Sequence, residues 1–343
     1  ETIGQILCYL GLKVNRSRGT WALQLEPIPL EELGRPRIDC LVNICGFFRD
    51  MFPNIMEFLD QAFDMVANLD EHLSMNYVRK HSLENRAHLK EAGLDERTAQ
   101  RIANGRVFGP RAGEYGTRLL PIVEDSIWKT EEELANVFIQ SMSHIYAKDL
   151  HAFKAEAIYR ENLARVKLLS QVRDTHDHEI IDLDHYFEYF GGLANAVKST
   201  GATRPMMLIS DTAGEAICTE DLQSSVKRGI RTRLLNPKWI GGMLKHDYHG
   251  GQQIAKRVEN ILGLAATTHS IPDWVWSGIA DRYVFDEEVR ERLQNNNRFA
   301  CGRLIERLLE AEQRGYWNAT KDELTRIKEA YLKLEGEIEE EMN

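Results

Sequence analysis

Residues 36–53 read Pro36-Arg37-Ile38-Asp39-Cys40-Leu41-Val42-Asn43-Ile44-Cys45-Gly46-Phe47-Phe48-Arg49-Asp50-Met51-Phe52-Pro53, and this stretch decides the fold class. Ile38 to Ile44 is a short apolar run bounded by breakers, as a buried parallel strand would be. Phe47-Phe48-Arg49-Asp50 lies just past it, where α/β sheets place binding residues. After Pro53 the apolar spacing changes to three and four: Ile55, Leu59, Ala62, Val66 and Leu69 form one stripe of a helix. The strand signal returns once, in Met206-Met207-Leu208-Ile209-Ser210, between Pro205 and Asp211. The expected fold is α/β and helix-rich, with small, mainly parallel sheets surrounded by many helices.

Helix punctuation is denser. Thr130-Glu131-Glu132-Glu133 has capping-box spacing and opens a helix carrying Leu134, Val137 and Phe138. Asn236-Pro237 is an N-cap followed by proline at the first helical position. Asp286 caps the segment starting at Glu287, with acids at the positive end of the dipole. Gly315 stops a helix running from about Asn297. Thr320-Lys321-Asp322-Glu323 opens the last one, which puts Leu324, Ile327, Tyr331, Leu334 and Ile338 on one side before the acidic run 337–341. Glycine recurs over 105–116, and 174–184 is polar and His-rich. A boundary in the second stretch gives an α/β region, 1–173, with the FFRD turn, an RKH helix start and the glycine-rich loop. The remainder, 174–343, is a helix-rich α/β region with NPKW and HDYHGG segments and the acidic C-terminal helix.

The 343 residues suit roughly two domains, and 43% hydrophobic with 28% charged residues is ordinary globular composition. Lys+Arg number 43 against Asp+Glu 53, a net charge of −10 with no basic block, which argues against nucleic acid. Apolar runs stay far below the about 18 residues of a membrane span. The five cysteines (8, 40, 45, 218, 301) form no CxxC pair and read as reduced thiols in a cytoplasm. The chain opens at Glu1 with Thr2-Ile3-Gly4-Gln5-Ile6-Leu7, which looks like the inside of a packed helix. It reads as a piece from the C-terminal side of something longer.

No G-x-x-x-x-G-K-[ST] phosphate cradle occurs. The glycine-rich stretch 105–116 follows a predicted helix rather than a strand, so it is no Rossmann turn. It is either a surface loop or one whose glycines admit a flat ligand beside Arg106, Arg111, Glu114 and Tyr115. His176-Asp177-His178-Glu179, with Asp182, Asp184 and His185, is either a solvated loop or a ligand set for a borderline metal. In Lys245-His246-Asp247-Tyr248-His249-Gly250-Gly251, His246 sits at a helix junction as a base, a ligand or a hydrogen-bonded structural residue. Arg79-Lys80-His81 enters a helix at Ser82, as a solvated start or an anion clamp. For the Arg49-Asp50 turn and Asp211, binding and helix capping are both open.

The words of the sequence are more specific than its composition. Pro36-Arg37-Ile38-Asp39 followed by Gly46-Phe47-Phe48-Arg49-Asp50-Met51-Phe52-Pro53 closely resembles the large subunit of the ATP-dependent tetrapyrrole metal chelatases, the CobN/magnesium chelatase H family. Further words follow in that family's order. They are Asn76-Tyr77-Val78-Arg79-Lys80-His81, Arg106-Val107-Phe108-Gly109, Gly113-Glu114-Tyr115-Gly116, Trp128 and Tyr186 with Phe190-Gly191-Gly192. Asp211-Thr212, Leu235-Asn236-Pro237-Lys238-Trp239-Ile240, Gly242-Met243 with His246 and Tyr248, Ala265-Ala266-Thr267-Thr268, Leu308-Leu309-Glu310-Ala311 and Arg314-Gly315-Tyr316-Trp317 complete the set. The loop 107–116, with 190–192 and 265–268, resembles the cobalt branch, and 11 His suit a borderline ion better than Mg²⁺. His246-Asp247-Tyr248 departs from the family's common His-Gly-Tyr.

The resemblance implies the C-terminal part of a larger multidomain, tetrapyrrole-binding subunit. That subunit is a ligase forming nitrogen–metal bonds, inserting Co²⁺ into a corrin precursor of the hydrogenobyrinic acid a,c-diamide type. The alternatives are Mg²⁺ insertion into protoporphyrin IX, a non-catalytic scaffold, and an unrelated metal-dependent hydrolase built on the 176–185 cluster. ATP–Mg²⁺ is hydrolysed by partner AAA+ subunits, accessory chelatase subunits assist, and no prosthetic group is expected. His246, Glu114 and His81 are the catalytic candidates. Arg49, Asp50, Arg79, Tyr115, Asp211, Asn236, Trp239 and Tyr248 are the substrate-binding candidates, and His246, Glu114 and His185 the metal candidates. A concavity bringing the Glu114 loop near His246 or the Arg49 turn is required.

Overall fold

The computed structural model of the chain describes residues 1–16 and 23–342. They form two compact units: Glu1–Arg118 with Ala135–Lys167 and Ala196–Pro205, and Leu119–Leu134 with Leu168–Asn195 and Met206–Asn343. Helices dominate both, as the periodicity predicts, and no helix among the described residues is long and apolar enough to cross a membrane.

In the first unit β1 (Leu12–Arg16) and β2 (Leu23–Pro27) pair antiparallel. A second sheet runs in the order β3 (Val42–Asn43), β4 (Val107–Gly109), β5 (His144–Ala147), β6 (Leu150–Lys154). Its β3–β4 pair is parallel and the others are antiparallel. The core is the apolar stripe of the Pro53–Ala67 helix (Met56, Leu59, Ala62, Phe63, Val66) against Ile6, Leu7 and Leu10 of the Thr2–Leu10 helix, with Ile44, Val107 and Tyr146. Arg37, 1% exposed, ties this region together: it donates to Leu10 O (2.9 Å), Gly11 O (2.8 Å) and Ile28 O (2.7 Å) and pairs with Glu71.

In the second unit β7 (Leu168–Arg173) pairs parallel with β8 (Met206–Asp211), and β8 antiparallel with β9 (Cys218–Asp221). The core is the Asp247–Thr268 helix packed on the Glu287–Gln313 helix, burying Ile254, Val258, Ile261 and Leu262 with Leu293, Leu304, Ile305 and Leu308.

The sheets are therefore mixed rather than mainly parallel. Connection length explains it: two residues, Lys148 and Asp149, join β5 to β6, which only an antiparallel pair permits. The Met206 run forms its strand, but of Ile38 to Ile44 only Val42 and Asn43 enter a ladder, because Asp39 is drawn into ion pairs. The caps at Asn236, Asp286 and Thr320 form, with Oδ1 or Oγ1 accepting from Lys238 N (3.0 Å), Val289 N (3.3 Å) and Glu323 N (3.2 Å). The helix expected from about Asn297 forms: Asn297 (φ −160°) breaks the Glu287–Gln313 segment and caps its second arm, accepting from Ala300 N at 2.9 Å. One helix start differs from expectation. The helix expected at Ser82 begins at Tyr77, because buried Asn76 caps it through Arg79 N (2.9 Å).

Candidate functional site

β3 and β4 run parallel, so the loops that leave them emerge at one edge, where open sheets gather ligand-binding residues. Past β3, the Cys45 sulfur accepts from Phe48 N (3.3 Å) and starts the Gly46–Met51 helix. Past β4 comes the loop 110–116. Arg49, 3% exposed, joins the two: Nη1 donates to Pro110 O (3.3 Å), Arg111 O (2.8 Å) and Glu114 O (3.0 Å). Its Nε and Nη2 grip Asp50 at 2.7 and 3.0 Å. Gly46 N donates to Tyr115 O (3.2 Å), and a Cβ at position 46 would collide with Glu114 O and lie 2.7 Å from Tyr115 Cα, so only glycine lets the loop come this close. The Tyr115 hydroxyl donates to Asp50, which raises the phenol pKa, and Tyr146 donates to Pro110 O.

Glu114 receives Arg111 Nε at 2.5 Å and Arg118 Nη2, both on Oε1. Burial alone would raise its pKa, but the Arg118 and Arg111 guanidiniums outweigh that and hold it below the ordinary carboxylate range. At neutral pH it is an anion, suited to a cation and poorly suited to donating a proton. Burial pushes the His144 pKa down, so this imidazole, within electrostatic reach of Glu114, is neutral at pH 7. His151 stands edge-on to Tyr146 with ring centroids 5.4 Å apart.

The structure thus gathers Arg49, Asp50, Glu114 and Tyr115, and adds Tyr146, His144 and His151, which sequence reasoning passed over. The apolar–polar alternation of His144-Ile145-Tyr146 before the Lys148-Asp149 turn is the strand signal that marks them.

His81 lies elsewhere. Its Nδ1 meets Asp39 Oδ2 at 2.8 Å, and Arg106 Nε meets Asp39 Oδ1 at 2.8 Å. Asp39 precedes β3 and Arg106 precedes β4, so this trio occupies the amino end of the parallel pair, opposite Glu114. Burial would raise the Asp39 pKa, yet Arg106 and His81 bring it below the ordinary value. A carboxylate depressed on folding stabilises the fold above its unfolded pKa of about 3.9, and that contribution is lost as pH falls through the folded value. Asp39→Asn should therefore flatten the acid limb of stability between about pH 5 and 2. At pH 7 it should cost about 2 kcal/mol through weaker bonds to buried Arg106. Urea unfolding of both proteins across that range measures it; an unchanged acid slope would contradict the assignment.

Arg79 turns Nη1 back onto its own helix start, donating to Leu69 O (2.9 Å) and Glu71 O (2.8 Å) and pairing with Asp70.

In the second unit, Arg173 at the end of β7 holds the 175–179 turn through Thr175 O (2.8 Å), His178 O (2.8 Å) and Glu179. Asp211, at the end of β8, meets His176 Nε2 at 2.8 Å. The His-rich stretch is largely consumed in this way: Glu179 pairs with Arg173 and Arg228, and Asp182 with Arg257 and Arg233. Asp184, His185 and Glu188 bring one ligand atom each within 4.8 Å of the others, though Lys256 also stands 3.8 Å from Asp184. Asn236 is spent as a cap, and Trp239 lies under Arg257, 5.0 Å from its ring centroid. His246 and Tyr248 are exposed at the start of the Asp247–Thr268 helix. A separate cleft of about 1010 Å³, lined by Trp128, Arg307, Glu310, Arg314, Tyr316 and Tyr331 among others, contains none of these residues. Its guanidiniums are engaged, Arg314 lying 3.5 Å over the Trp128 ring.

Comparison with known proteins gives a consistent result. The family model described as CobN/Magnesium Chelatase matches residues 1–324. An uncharacterized protein of Methanocaldococcus jannaschii is 37% identical over 343 residues, covering 100% of this chain and 28% of its own length. The chloroplastic magnesium-chelatase subunit ChlH of Oryza sativa subsp. indica is 34% identical over 343 residues, covering 99% of this chain and 24% of its own length. The structure of the catalytic subunit of cobaltochelatase from Mycobacterium tuberculosis superposes with a TM-score of 0.92 at 34% identity, covering 97% of this chain and 28% of that one. The chain thus spans under a third of the length of the proteins it matches.

Proposed function

The chain belongs to the CobN/magnesium chelatase family, and from that premise we propose that it supplies part of the macrocycle- and ion-handling surface of a tetrapyrrole metal chelatase large subunit. One observation carries the reading: Arg49 pins the loop that carries Glu114 and Tyr115 to the Gly46–Met51 helix, on which Phe47 and Met51 are 63% and 58% exposed. Large apolar side chains left open beside a few convergent polar groups are what a flat, mostly apolar ring with charged edges requires.

Ion insertion needs the cation stripped of water, two pyrrole N–H protons removed and the ring held. Glu114, an anion at neutral pH, serves the cation. Phe47, Met51, Phe52 and Tyr115 meet the ring face. ATP hydrolysis is assigned to AAA+ partner subunits, and His246 and His185 of the second unit remain candidates for delivering the ion.

The ion we propose is Co²⁺ and the ring a corrin precursor, supported by the loop at 107–116. Equal identity, 34%, to a magnesium-chelatase subunit and to a cobaltochelatase subunit keeps Mg²⁺ and protoporphyrin IX as the second reading. A metalation assay of the complete subunit with its ATPase partners, both ions and both rings decides between them. Co²⁺ insertion into the corrin precursor is the expected result. Mg²⁺ insertion into the porphyrin alone transfers the protein to the other branch, and failure to bind either ring removes the reading.

A further inference from the structure

Resting on that reading, we propose that Arg111 and Arg118 form a substrate-operated latch on Glu114. Carboxylates at the edge of the macrocycle draw the two guanidiniums away, leaving the Glu114 carboxylate open to the incoming cation.

Three observations point the same way. Both guanidiniums crowd onto the same oxygen, Oε1, an arrangement in which two cations share one anion and repel each other. The Arg111 and Arg118 side chains are 62% and 57% exposed while Glu114 is 18% exposed, so a ligand entering from solvent meets the cations first. Arg118 also holds φ +67°, a left-handed conformation unfavourable for a residue with a Cβ, of the kind that recurs where a structure positions a functional group.

Charge counting agrees. Along the loop and its helix Arg49 is balanced by Asp50, but Arg111 and Arg118 share a single carboxylate, leaving one positive charge in excess among these groups. Arg49 cannot fill this role, since its Nη1 is committed to three loop carbonyls. Guanidinium forks suit carboxylates bidentately, so each arginine can exchange one anion for another without losing its hydrogen bonds.

The test uses the full chain and fluorescence-quench titration with two rings, a porphyrin bearing free propionates and its dimethyl ester. The wild type should bind the acid about 10-fold more tightly than the ester. The Arg111→Gln/Arg118→Gln double variant should lose that preference and bind both rings as the wild type binds the ester. Glu114→Gln, which removes the competing anion, should bind the acid several-fold more tightly than wild type; a structural or purely ion-binding Glu114 would not move this readout in that direction. Equal binding of acid and ester by the wild type overturns the latch and leaves the ring-binding reading standing. So does an acid preference that survives in the double variant. Failure to bind either ring overturns both.

Discussion

Replacing Arg49 by methionine is expected to release the 110–116 loop and to slow ion insertion at least about 100-fold, the usual result of misplacing a reacting group by an ångström. The side chain is nearly as long, so the cavity is small and the loss is polar. Three carbonyl oxygens, that of Pro110 in a buried bond and those of Arg111 and Glu114 in half-buried ones, lose a charged donor. Asp50 is 43% exposed and rehydrates once unpaired, so the carbonyls dominate a cost of about 3 kcal/mol. Because Gly46 N also bonds Tyr115 O, the loop retains one backbone tether to the Gly46–Met51 helix and frays rather than unfolding the sheet. Hydrogen exchange of the loop amides in the absence of any ring measures this directly: protection should fall in the variant. Were Arg49 a substrate clamp, the free protein would exchange as before and only the apparent affinity for carboxylate-bearing rings would weaken. Unchanged loop protection would therefore sink the positioning role.

The same residue shows what was legible in the sequence. Phe47-Phe48-Arg49-Asp50 announces a turn or helix start by its place after an apolar run, and it does lie just past β3. What Arg49 touches lies 61 to 65 positions further along, and no local pattern encodes so distant a partner. Local chemistry that closes within four residues was often readable, as in the caps at Asn236, Asp286 and Thr320 and the stripe of the Pro53–Ala67 helix, although the Asn76 cap, equally local, was missed. Short strands were not, because β3 has two residues and β4 three, too few for a period to emerge. His144 and Tyr146 were overlooked since they follow a helix, Glu131–Met142, after a single intervening residue. The basic triplet at 79–81 left a solvated helix start and an anion clamp both open because charge is visible in a sequence whereas the carbonyls that Arg79 Nη1 meets, on Leu69 and Glu71, are not. His81 and Glu114 looked like one catalytic set until the parallel register of β3 and β4 placed them at opposite ends.

The second large effect is expected at Gly250. The chain turns sharply between the Pro237–Met243 and Asp247–Thr268 helices, with His246 N donating to Met243 O (2.9 Å), Gly250 N to His246 O (3.1 Å), and Asp247 held at φ +39°. A Cβ on residue 250 would collide with Met243 O and lie 2.7 Å from its carbonyl carbon. Both offending atoms are backbone, so no rotamer change relieves the clash and the two helices must separate. Gly250→Ala should cost about 3–4 kcal/mol, lowering the thermal midpoint by about 6–16 °C. Gly241→Ala is the matched control: it adds the same methyl to the neighbouring helix where nothing lies within 4 Å, and should be neutral or stabilise by up to about 1 kcal/mol. The pair also tests His246, because that side chain stands on the corner that Gly250→Ala opens. Measured below the lowered midpoint, ring binding should persist while ion insertion falls in Gly250→Ala and not in Gly241→Ala. If insertion survives the opened corner unchanged, His246 does not handle the ion, and Glu114 carries that step within the first unit.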